Sequence, residues 1–513
     1  MALIDIKLPD KITKALRLSN KKKSAKQQLL VLKKLLRKAR FTEFGQQYHF
    51  DEILMSNDPC KKFQDLVPVY DYNKIYKEWW HKTLERKPDI CWPGKIKYYA
   101  LSSGTSEAAS KYIPVTNDLL RGNKAVMLKQ LFSLRNYEHP RLGSIGKGWL
   151  ALGGSTDLQK DASGYYAGDL SGITAKKSPI WFQPFYKPGK KIAKERDWNK
   201  KLDEVVEKAP KWDIGLITGV PAWIQMCMEK IIEKYQLNNI HDIWPNLAFY
   251  VHGGVSFEPY KKGFEKLLGK PVLYLETYLA SEGFIAYQNH QHAKGMRLVT
   301  DEHIFFEFVP FDNSNFDADC NINNNPKTLL INEVEEGKDY ALLMSTPAGA
   351  WRYLIGDTIR FVDKEKCEIV ITGRTKHFLS LVGEHLSVDN MNKAIQLVSD
   401  ELNICIPEFT VAGVPYENFF AHHWYVACND SVDAKLLATK IDENLKALND
   451  DYAIERNSAL KNVFLDVLSE GQFMEFMRMK GKVGGQHKFP RVLKGKTLED
   501  WQLFLQGKLV EAK

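Results

Sequence analysis

The sequence predicts a mixed α/β protein, with a large N-terminal domain at residues 1–375 and a small C-terminal α+β domain at residues 376–513. The length of 513 residues is too great for one small core, since a domain typically contains about 150 residues. Helical and strand-like patterns alternate through the first domain, which is typical of β-sheets flanked by helices. After Lys376, helical stretches and strand-like runs follow one another closely, and this pattern predicts a separate compact unit.

The composition excludes several classes of protein. Hydrophobic residues make up 44% of the chain, which is enough for a substantial core and too many for a disordered protein. No apolar run approaches the ~20 residues that span a bilayer, and the first residues lack a secretion-signal pattern. The seven cysteines are scattered without a Cys-x-x-Cys pair, which argues against disulfides or structural zinc and favours the reducing cytoplasm. The net charge of +9 is compatible with anionic substrates such as nucleotides and carboxylates.

An amphipathic helix is predicted within residues 21–40, where Leu29, Leu32, Leu36 and Ala39 recur at helical spacing among nine basic residues. The basic face either contacts a membrane surface or nucleic acid, or is solvated opposite a stripe that faces the core. The second interpretation is favoured because such basic runs are common on surface helices, so no nucleic-acid partner is expected.

The remaining elements are predicted from periodicity. Helices are predicted over 201–209, 222–235, 387–400 and 431–448. Strands are predicted over 272–276, 304–309, 328–332, 340–345, 358–362, 368–372, 409–414, 423–428 and 462–468. The stretch 312–326, rich in Asn and Asp, is predicted to be a surface loop.

A loop dense in hydroxyl groups follows a strand-like run that begins at Tyr98. The loop residues are followed by a lysine, and the set is Ser102, Ser103, Gly104, Thr105, Ser106 and Lys111. Backbone N–H groups and hydroxyls of such a loop can surround phosphate oxygens, and the glycine lets the backbone approach the ligand. Lys111 would then neutralise phosphate charge. The alternative is a plain surface turn, and the loop alone does not decide between the two.

Two further segments carry candidate site residues. One strand delivers Glu282 in a polar turn, where a single carboxylate can hold a Mg²⁺ ion that bridges phosphate oxygens. Upstream, the flat backbone of Gly253 and Gly254 can lie on an adenine ring. Another strand is predicted to end in a turn at Gly356-Asp357, from which Asp357 can accept both ribose hydroxyls. When each is found alone, these motifs more often indicate tight turns and a solvated surface acid than a nucleotide site.

The order and spacing of these motifs are specific when they are taken together. The hydroxyl-rich loop, residues 278–283, residues 352–357 and Gly373-Arg374 resemble the motifs of the acyl-adenylate-forming superfamily, which includes firefly luciferase and acyl-CoA ligases. The chain resembles more closely the Gretchen Hagen family of auxin-responsive acyl acid–amido synthetases, particularly its bacterial-type members. This resemblance spans nearly the whole chain and extends to residues 41–45, 92–97 and 217–223.

The resemblance implies an enzyme with ATP and Mg²⁺ as cofactors, a large domain that binds ATP and an acyl acid, and a C-terminal lid. It places the hydroxyl-rich loop and Lys111 at the ATP phosphates, and Tyr278 and Glu282 at the adenylate, with Glu282 as the Mg²⁺ ligand. It also places Gly253 and Gly254 on adenine, and Asp357 and Arg374 on the ribose. The lid lysine is expected to be Lys488, although Lys480, Lys482 and Lys494 lie close enough in sequence to be alternatives.

Two positions depart from the plant members of the family. Ala108 replaces a smaller or polar residue in the phosphate loop, and His385 stands where the plant enzymes have a lysine. Histidine is charged or neutral near pH 7, so the role of His385 at the nucleotide stays open.

The implied reaction joins a small carboxylic acid to an amine such as an amino acid through an acyl-adenylate. Two alternatives share parts of this prediction: an acyl-CoA ligase or other thioester-forming enzyme, and a non-catalytic nucleotide-binding protein. The identity of the acid is not encoded in any motif, because a pocket formed around 119–131 and 220–227 would select its ligand by shape.

Overall fold

The computed structural model describes residues 10–102, 111–254, 257–317, 321–375, 378–379, 386–416, 419–449, 452–453, 456, 460–481 and 489–507. The α-helices of the N-terminal part are α1 (Asp10–Ala39), α2 (Glu43–Gln47), α3 (Phe50–Met55), α4 (Pro59–Leu66), α5 (Tyr72–Ile75), α6 (His81–Leu84), α7 (Asn117–Ser133), α8 (Leu170–Lys176), α9 (Lys190–Ala193), α10 (Trp198–Lys208), α11 (Pro221–Tyr235) and α12 (Glu258–Leu267). The C-terminal helices are α13 (Val388–Leu402), α14 (Ala434–Leu448), α15 (Glu470–Met479) and α16 (Gly495–Leu505).

The strands form sheets of very different size. In chain order they are β1 (Tyr98–Ser102), β2 (Lys111–Val115), β3 (Gly148–Ala151), β4 (Gln159–Lys160), β5 (Tyr166–Gly168), β6 (Tyr186–Lys187), β7 (Ile214–Thr218), β8 (Phe249–Gly253), β9 (Leu273–Ala280), β10 (Gly283–Tyr287), β11 (Met296–Leu298), β12 (Phe305–Pro310), β13 (Asp339–Thr346), β14 (Ala350–Asp363), β15 (Glu368–Arg374), β16 (Phe378–Leu379), β17 (Leu386–Ser387), β18 (Glu408–Tyr416), β19 (Phe419–Ala427), β20 (Leu460–Leu468) and β21 (Val492–Leu493). An eleven-stranded sheet has the order β12-β13-β14-β15-β11-β10-β9-β8-β7-β3-β6. Its last five strands in that order run parallel, and the others pair antiparallel.

The predicted basic helix is the C-terminal part of α1. Leu32, Leu36 and Ala39 are buried in the core of the antiparallel half, while Lys34 and Arg37 on the same helix are exposed. The helix is therefore amphipathic in the way that its periodicity predicts, with the basic face in solvent. Among the described residues, no helix is both long and apolar enough to cross a membrane.

Two predictions of local structure are wrong. Gly356-Asp357 does not form a turn, because both residues lie inside the fourteen-residue strand β14. Gly356 has φ +89°, a left-handed conformation that glycine adopts without strain, and the strand continues through it. The strand predicted over 328–332 is reduced to one bridge between Leu329 and Phe308, because the chain turns where Leu330 donates its N–H to the Glu333 carboxylate.

The C-terminal unit is built on a four-stranded sheet with the order β20-β19-β18-β21. Alternate residues of β18 and β19 face opposite sides, as the two-residue period of a strand requires. Val411 and Trp424 pack with α13 and α14, whereas Ala412 and Tyr425 pack with α15 and α16. Helices thus cover both faces of this sheet.

Candidate active site

The site residues come from distant parts of the chain and meet through the pairing of strands. Tyr278 lies near the end of β9, and Glu282 lies in the short turn between β9 and β10. Asp357 on β14 is paired directly with Arg374 at the end of β15. Lys111 begins β2, opposite Ser102 at the end of β1. The backbone of Ser102 and Lys111 therefore brackets the segment 103–110.

The Asp357 carboxylate is held by two donors. Arg374 Nε donates to Asp357 Oδ1 at 2.6 Å, and the Tyr278 hydroxyl donates to Asp357 Oδ2. The Asp357 charge is the main reason that the pKa of Arg374 is raised, and burial holds the pKa of Tyr278 well above its usual value. The carboxylate is thus fixed in position, with an arginine that is 42% exposed available to a ligand.

Glu282 is buried, being 6% exposed, so the alternative of a solvated surface acid is wrong. Burial raises its pKa above the usual value, and the positive charge of Lys111 partly opposes this effect. The pKa of Lys111 is lowered, mainly by burial and against the attraction of Glu282. A buried carboxylate and a half-buried ammonium thus influence one another, and the Asp357–Arg374 pair also contributes to both pKa values.

The local backbone geometry requires glycine at Gly253 and favours it at Gly254. A Cβ at Gly253 would lie 2.3 Å from the carbonyl oxygen of Thr277, since β8 and β9 pair closely at this position. Gly254 has φ +83°, which allows the chain to turn immediately after β8. The pair lies one residue along the sheet from Tyr278, so its backbone borders the candidate site. Packing against adenine stays a prediction.

Several predicted site residues lie outside the described residues: Ser103, Gly104, Thr105, Ser106, His385 and Lys488. Ser102 is described by its backbone alone. Lys111, Tyr278, Glu282, Asp357 and Arg374 are brought together, with Gly253 and Gly254 at the border.

Arg352, which belongs to the motif at residues 352–357, has a structural role. Its side chain is buried and pairs with buried Glu307, with 3.0 Å between Arg352 Nη2 and Glu307 Oε1. Its Nη1 also donates to the carbonyl oxygens of Gln64 and Val67 at 2.9 Å and 2.6 Å. These contacts anchor the α4 region to β12 and β14.

Two tyrosines at the site carried no sequence signal of their own. The Lys111 ammonium lies 5.3 Å from the centroid of the Tyr72 ring, and the Tyr72 hydroxyl accepts a hydrogen bond from the N–H of Tyr112. Burial holds the pKa of Tyr353 well above its usual value, and the neighbouring Glu282, with which Tyr353 interacts, adds to this effect. Tyr353 stood inside the 352–357 motif without an assigned role, and nothing in the local sequence distinguished Tyr72.

The fold of this chain is that of acyl-adenylate-forming enzymes. A 2-hydroxyisobutyryl-CoA ligase, solved in the postadenylation state with 2-HIB-AMP, matches with a TM-score of 0.58 and 12% identity over 94% of this chain and 91% of that chain. A GH3.15 acyl acid amido synthetase matches with a TM-score of 0.74 and 17% identity over 94% of both chains. These likenesses show that the fold is shared.

Sequence models of the N-terminal, central and C-terminal domains of the GH3 family match residues 18–203, 297–374 and 389–497, which together are well over half of the chain. The chain belongs to the GH3 family, the Gretchen Hagen family predicted above. Jasmonoyl–L-amino acid synthetase JAR6 of Nicotiana attenuata is 25% identical over an alignment of 406 residues, and the match covers 66% of this chain and 67% of that protein. The predicted family, fold class and enzyme class, an adenylating acid–amido ligase, are confirmed, and this class implies the use of ATP.

Proposed function

We propose that this enzyme activates a small carboxylic acid with ATP as an acyl-adenylate and transfers the acyl group to the amino group of an amino acid. In the first step a carboxylate oxygen attacks the α-phosphorus and pyrophosphate leaves. In the second step the amine attacks the acyl carbon and AMP leaves. The observation that carries the proposal is the arrangement of Tyr278, Asp357 and Arg374 beside buried Glu282 and half-buried Lys111.

Asp357 supplies the acceptor for the ribose hydroxyls. A fixed carboxylate can accept two hydrogen bonds, and Arg374 and Tyr278 already hold Asp357 in position. Arg374 is partly exposed and closes on the same sugar, and Gly253 and Gly254 lie on the adenine. Preorganised contacts of this kind orient the nucleotide for in-line attack.

Lys111 and the hydroxyl-rich loop hold the triphosphate. β1 and β2 pair at Ser102 and Lys111, the two residues that flank this loop in the sequence, and the Lys111 side chain is half-buried. A carboxylate and a triphosphate repel each other, and positive charge in a buried site reduces this repulsion more than it would in water. His385, near the lid boundary, contributes a further polar contact to the nucleotide in this proposal.

Glu282 is the residue that would hold Mg²⁺. A single buried carboxylate fits this ion, which prefers one or two carboxylates together with phosphate oxygens and water. The ion would supply charge neutralisation at the phosphates when bound. Burial raises the pKa of Glu282, and the positive charge of a bound cation would oppose this effect.

The C-terminal domain, residues 376–513, acts as a lid in this proposal, and Lys488 reaches the α-phosphate and the acyl carboxylate. The lid then rotates to shield the adenylate from water and to admit the amine. A cytoplasmic location stays a prediction, and the six cysteines of the described residues, which are free thiols, are compatible with it.

The test is Mg²⁺-dependent exchange of pyrophosphate into ATP with aryl, indolyl, fatty and hydroxy acids, without an acceptor. Exchange with an acid identifies the acyl class, and product analysis then compares amino acids with coenzyme A as acceptors. An amide product supports the proposal, whereas a thioester product would favour the acyl-CoA ligase. ATP binding without exchange for any acid would favour the non-catalytic nucleotide-binding protein.

A further inference from the structure

The C-terminal domain is docked on α12 of the N-terminal domain. Lys262 of α12 donates from Nζ to the carbonyl oxygen of Ser399 on α13 at 3.1 Å. Gln396 of α13 donates from Nε2 to Glu258 Oε2 of α12 at 3.2 Å. Because α12 begins four residues after Gly254, its first turn lies close to the end of β8 that borders the candidate site.

Arg491 is held firmly within the C-terminal domain. Its side chain is 13% exposed, and its Nη1 donates to the Glu408 carboxylate and, at 2.8 Å, to the carbonyl oxygen of Phe409. The guanidinium carbon lies 4.2 Å from the centroid of the Phe409 ring. The backbone is also fixed, since the N–H of Val411 on β18 donates to the Arg491 carbonyl oxygen at 3.0 Å. The guanidinium is therefore held in one place relative to the C-terminal sheet.

The same guanidinium meets a tyrosine of the N-terminal domain. Tyr260, in the first turn of α12, is only 3% exposed, and its hydroxyl interacts with Arg491. Burial raises the pKa of Tyr260 to about 12 and the Arg491 charge opposes this effect, so the hydroxyl stays protonated at neutral pH. A guanidinium has donors only, so the tyrosine oxygen can accept from it. A charged group removed from water needs such partners, and this contact therefore stabilises the docked orientation.

The contact also limits the position of the candidate lid lysine. Arg491 follows Lys488 by three residues, and three extended residues span at most about 11 Å. While Arg491 contacts the first turn of α12, the chain cannot carry Lys488 far from the edge of the large sheet where the nucleotide is proposed to bind. The docked orientation is thus compatible with a lysine that acts on the nucleotide.

We propose that Arg491 and Tyr260 are positioning residues for adenylation, because their contact holds the C-terminal domain in the orientation that keeps Lys488 within reach of the nucleotide. This inference rests on the proposed function, in which the domain leaves that orientation before acyl transfer. The contact is broken in the second step, so its removal should impair the first half-reaction alone.

The test is Tyr260→Phe, which removes the hydroxyl and keeps the buried ring. We expect Mg²⁺-dependent pyrophosphate exchange to fall at least about fivefold, whereas acyl transfer from preformed adenylate should not slow. Arg491→Lys should show the same pattern, because lysine keeps a positive charge beside Glu408 but lacks the planar fork that serves two partners. The double variant should lose no more exchange than either single variant, since both act through one contact.

Tyr235→Phe is the matched control, because the Tyr235 hydroxyl donates to the carbonyl oxygen of Val206 at 3.2 Å within the N-terminal domain. This control should keep wild-type rates in both half-reactions, and thermal melts should show that all variants are folded. Wild-type exchange by Tyr260→Phe, equal losses in both half-reactions, or additive losses in the double variant would each overturn the positioning role.

The proposed function and the positioning role fail in different ways. No exchange by the wild type with any acid would overturn the proposed function and the positioning role with it. Wild-type exchange that Tyr260→Phe leaves unchanged would overturn the positioning role alone. Hydrogen exchange gives a readout that needs no activity: the amides of α12 and α13 should exchange faster in Tyr260→Phe, and equal protection in both proteins would also overturn the positioning role.

Discussion

The substitution Asp357→Asn tests the candidate nucleotide site most directly. The carboxylate is only 13% exposed and is aligned by Arg374 and Tyr278. In the proposed complex it accepts two ribose hydrogen bonds, and a hydrogen bond to a charged group contributes about 1.5–3 kcal/mol. Asparagine keeps one acceptor oxygen but no charge, so at least one of these bonds is lost, which removes about 1.5–3 kcal/mol of transition-state stabilisation, or roughly ten- to a hundredfold in kcat/KM for ATP.

The same substitution should affect stability much less than activity. Arg374 is 42% exposed, so its charge remains solvated after Asp357 is neutralised, and we expect a loss of about 1 kcal/mol in the free energy of unfolding. Asp339→Asn is the matched control, because Asp339 accepts from Arg360 Nε at 2.9 Å in the same sheet. Pyrophosphate exchange with a range of ATP concentrations measures the effect. Exchange by Asp357→Asn within about threefold of the wild type, at equal stability, would refute the ribose assignment.

Four further substitutions test other parts of the structure. Glu282→Gln should lower Mg²⁺-dependent exchange at least about a hundredfold while ATP still binds, and an unchanged Mg²⁺ titration would contradict the ligand assignment. Arg352→Met should lower the free energy of unfolding in urea by about 3–5 kcal/mol, because the buried Glu307 carboxylate loses its ion pair and keeps the hydrogen bond from Gln64 Nε2; wild-type stability would contradict this. Burial, with a smaller contribution from Glu229, raises the pKa of Glu470 from 4.5 to about 7, so the folded state loses stability as pH rises between these values. Glu470→Gln should therefore match the wild type at low pH and exceed it by up to about 3 kcal/mol at pH 8, and parallel stability curves would exclude this effect. Lys488→Ala should slow adenylation more than acyl transfer from preformed adenylate, whereas equal losses would indicate a role in folding or lid movement.

The local patterns of the sequence determined the type of most elements. The stripe of Leu32, Leu36 and Ala39 predicted a helix with one buried face, and that face lies in the core. The C-terminal patterns predicted strands over 409–414 and 423–428, and the structure shows that neighbouring residues such as Val411 and Ala412 face different layers of helix. Periodicity is sufficient here because each element must bury one face, and the face is encoded within a few neighbouring residues.

The motifs of the sequence also indicated the candidate site residues. Asp357 and Arg374 were assigned to one sugar by resemblance, and the register of β14 and β15 places them side by side. The error at Gly356-Asp357 arose because a Gly-Asp pair has the local signature of a turn. The pairing of Asp357 with Arg374 on β15 keeps this segment in the sheet, although its pairing with β13 is interrupted between Leu354 and Thr358, and these partners lie outside the local sequence.

The sequence by itself determined the family, the fold class, the enzyme class and the residue types of the site. Only the tertiary structure decided that Glu282 is buried near Lys111 and that the Lys111 ammonium lies over the Tyr72 ring. It also decided that Arg352 forms an ion pair with Glu307. The physical reason is that burial, desolvation and ion pairing depend on which distant strands become neighbours. Strand register is set by the packing of the whole sheet, and no local window of the sequence contains it.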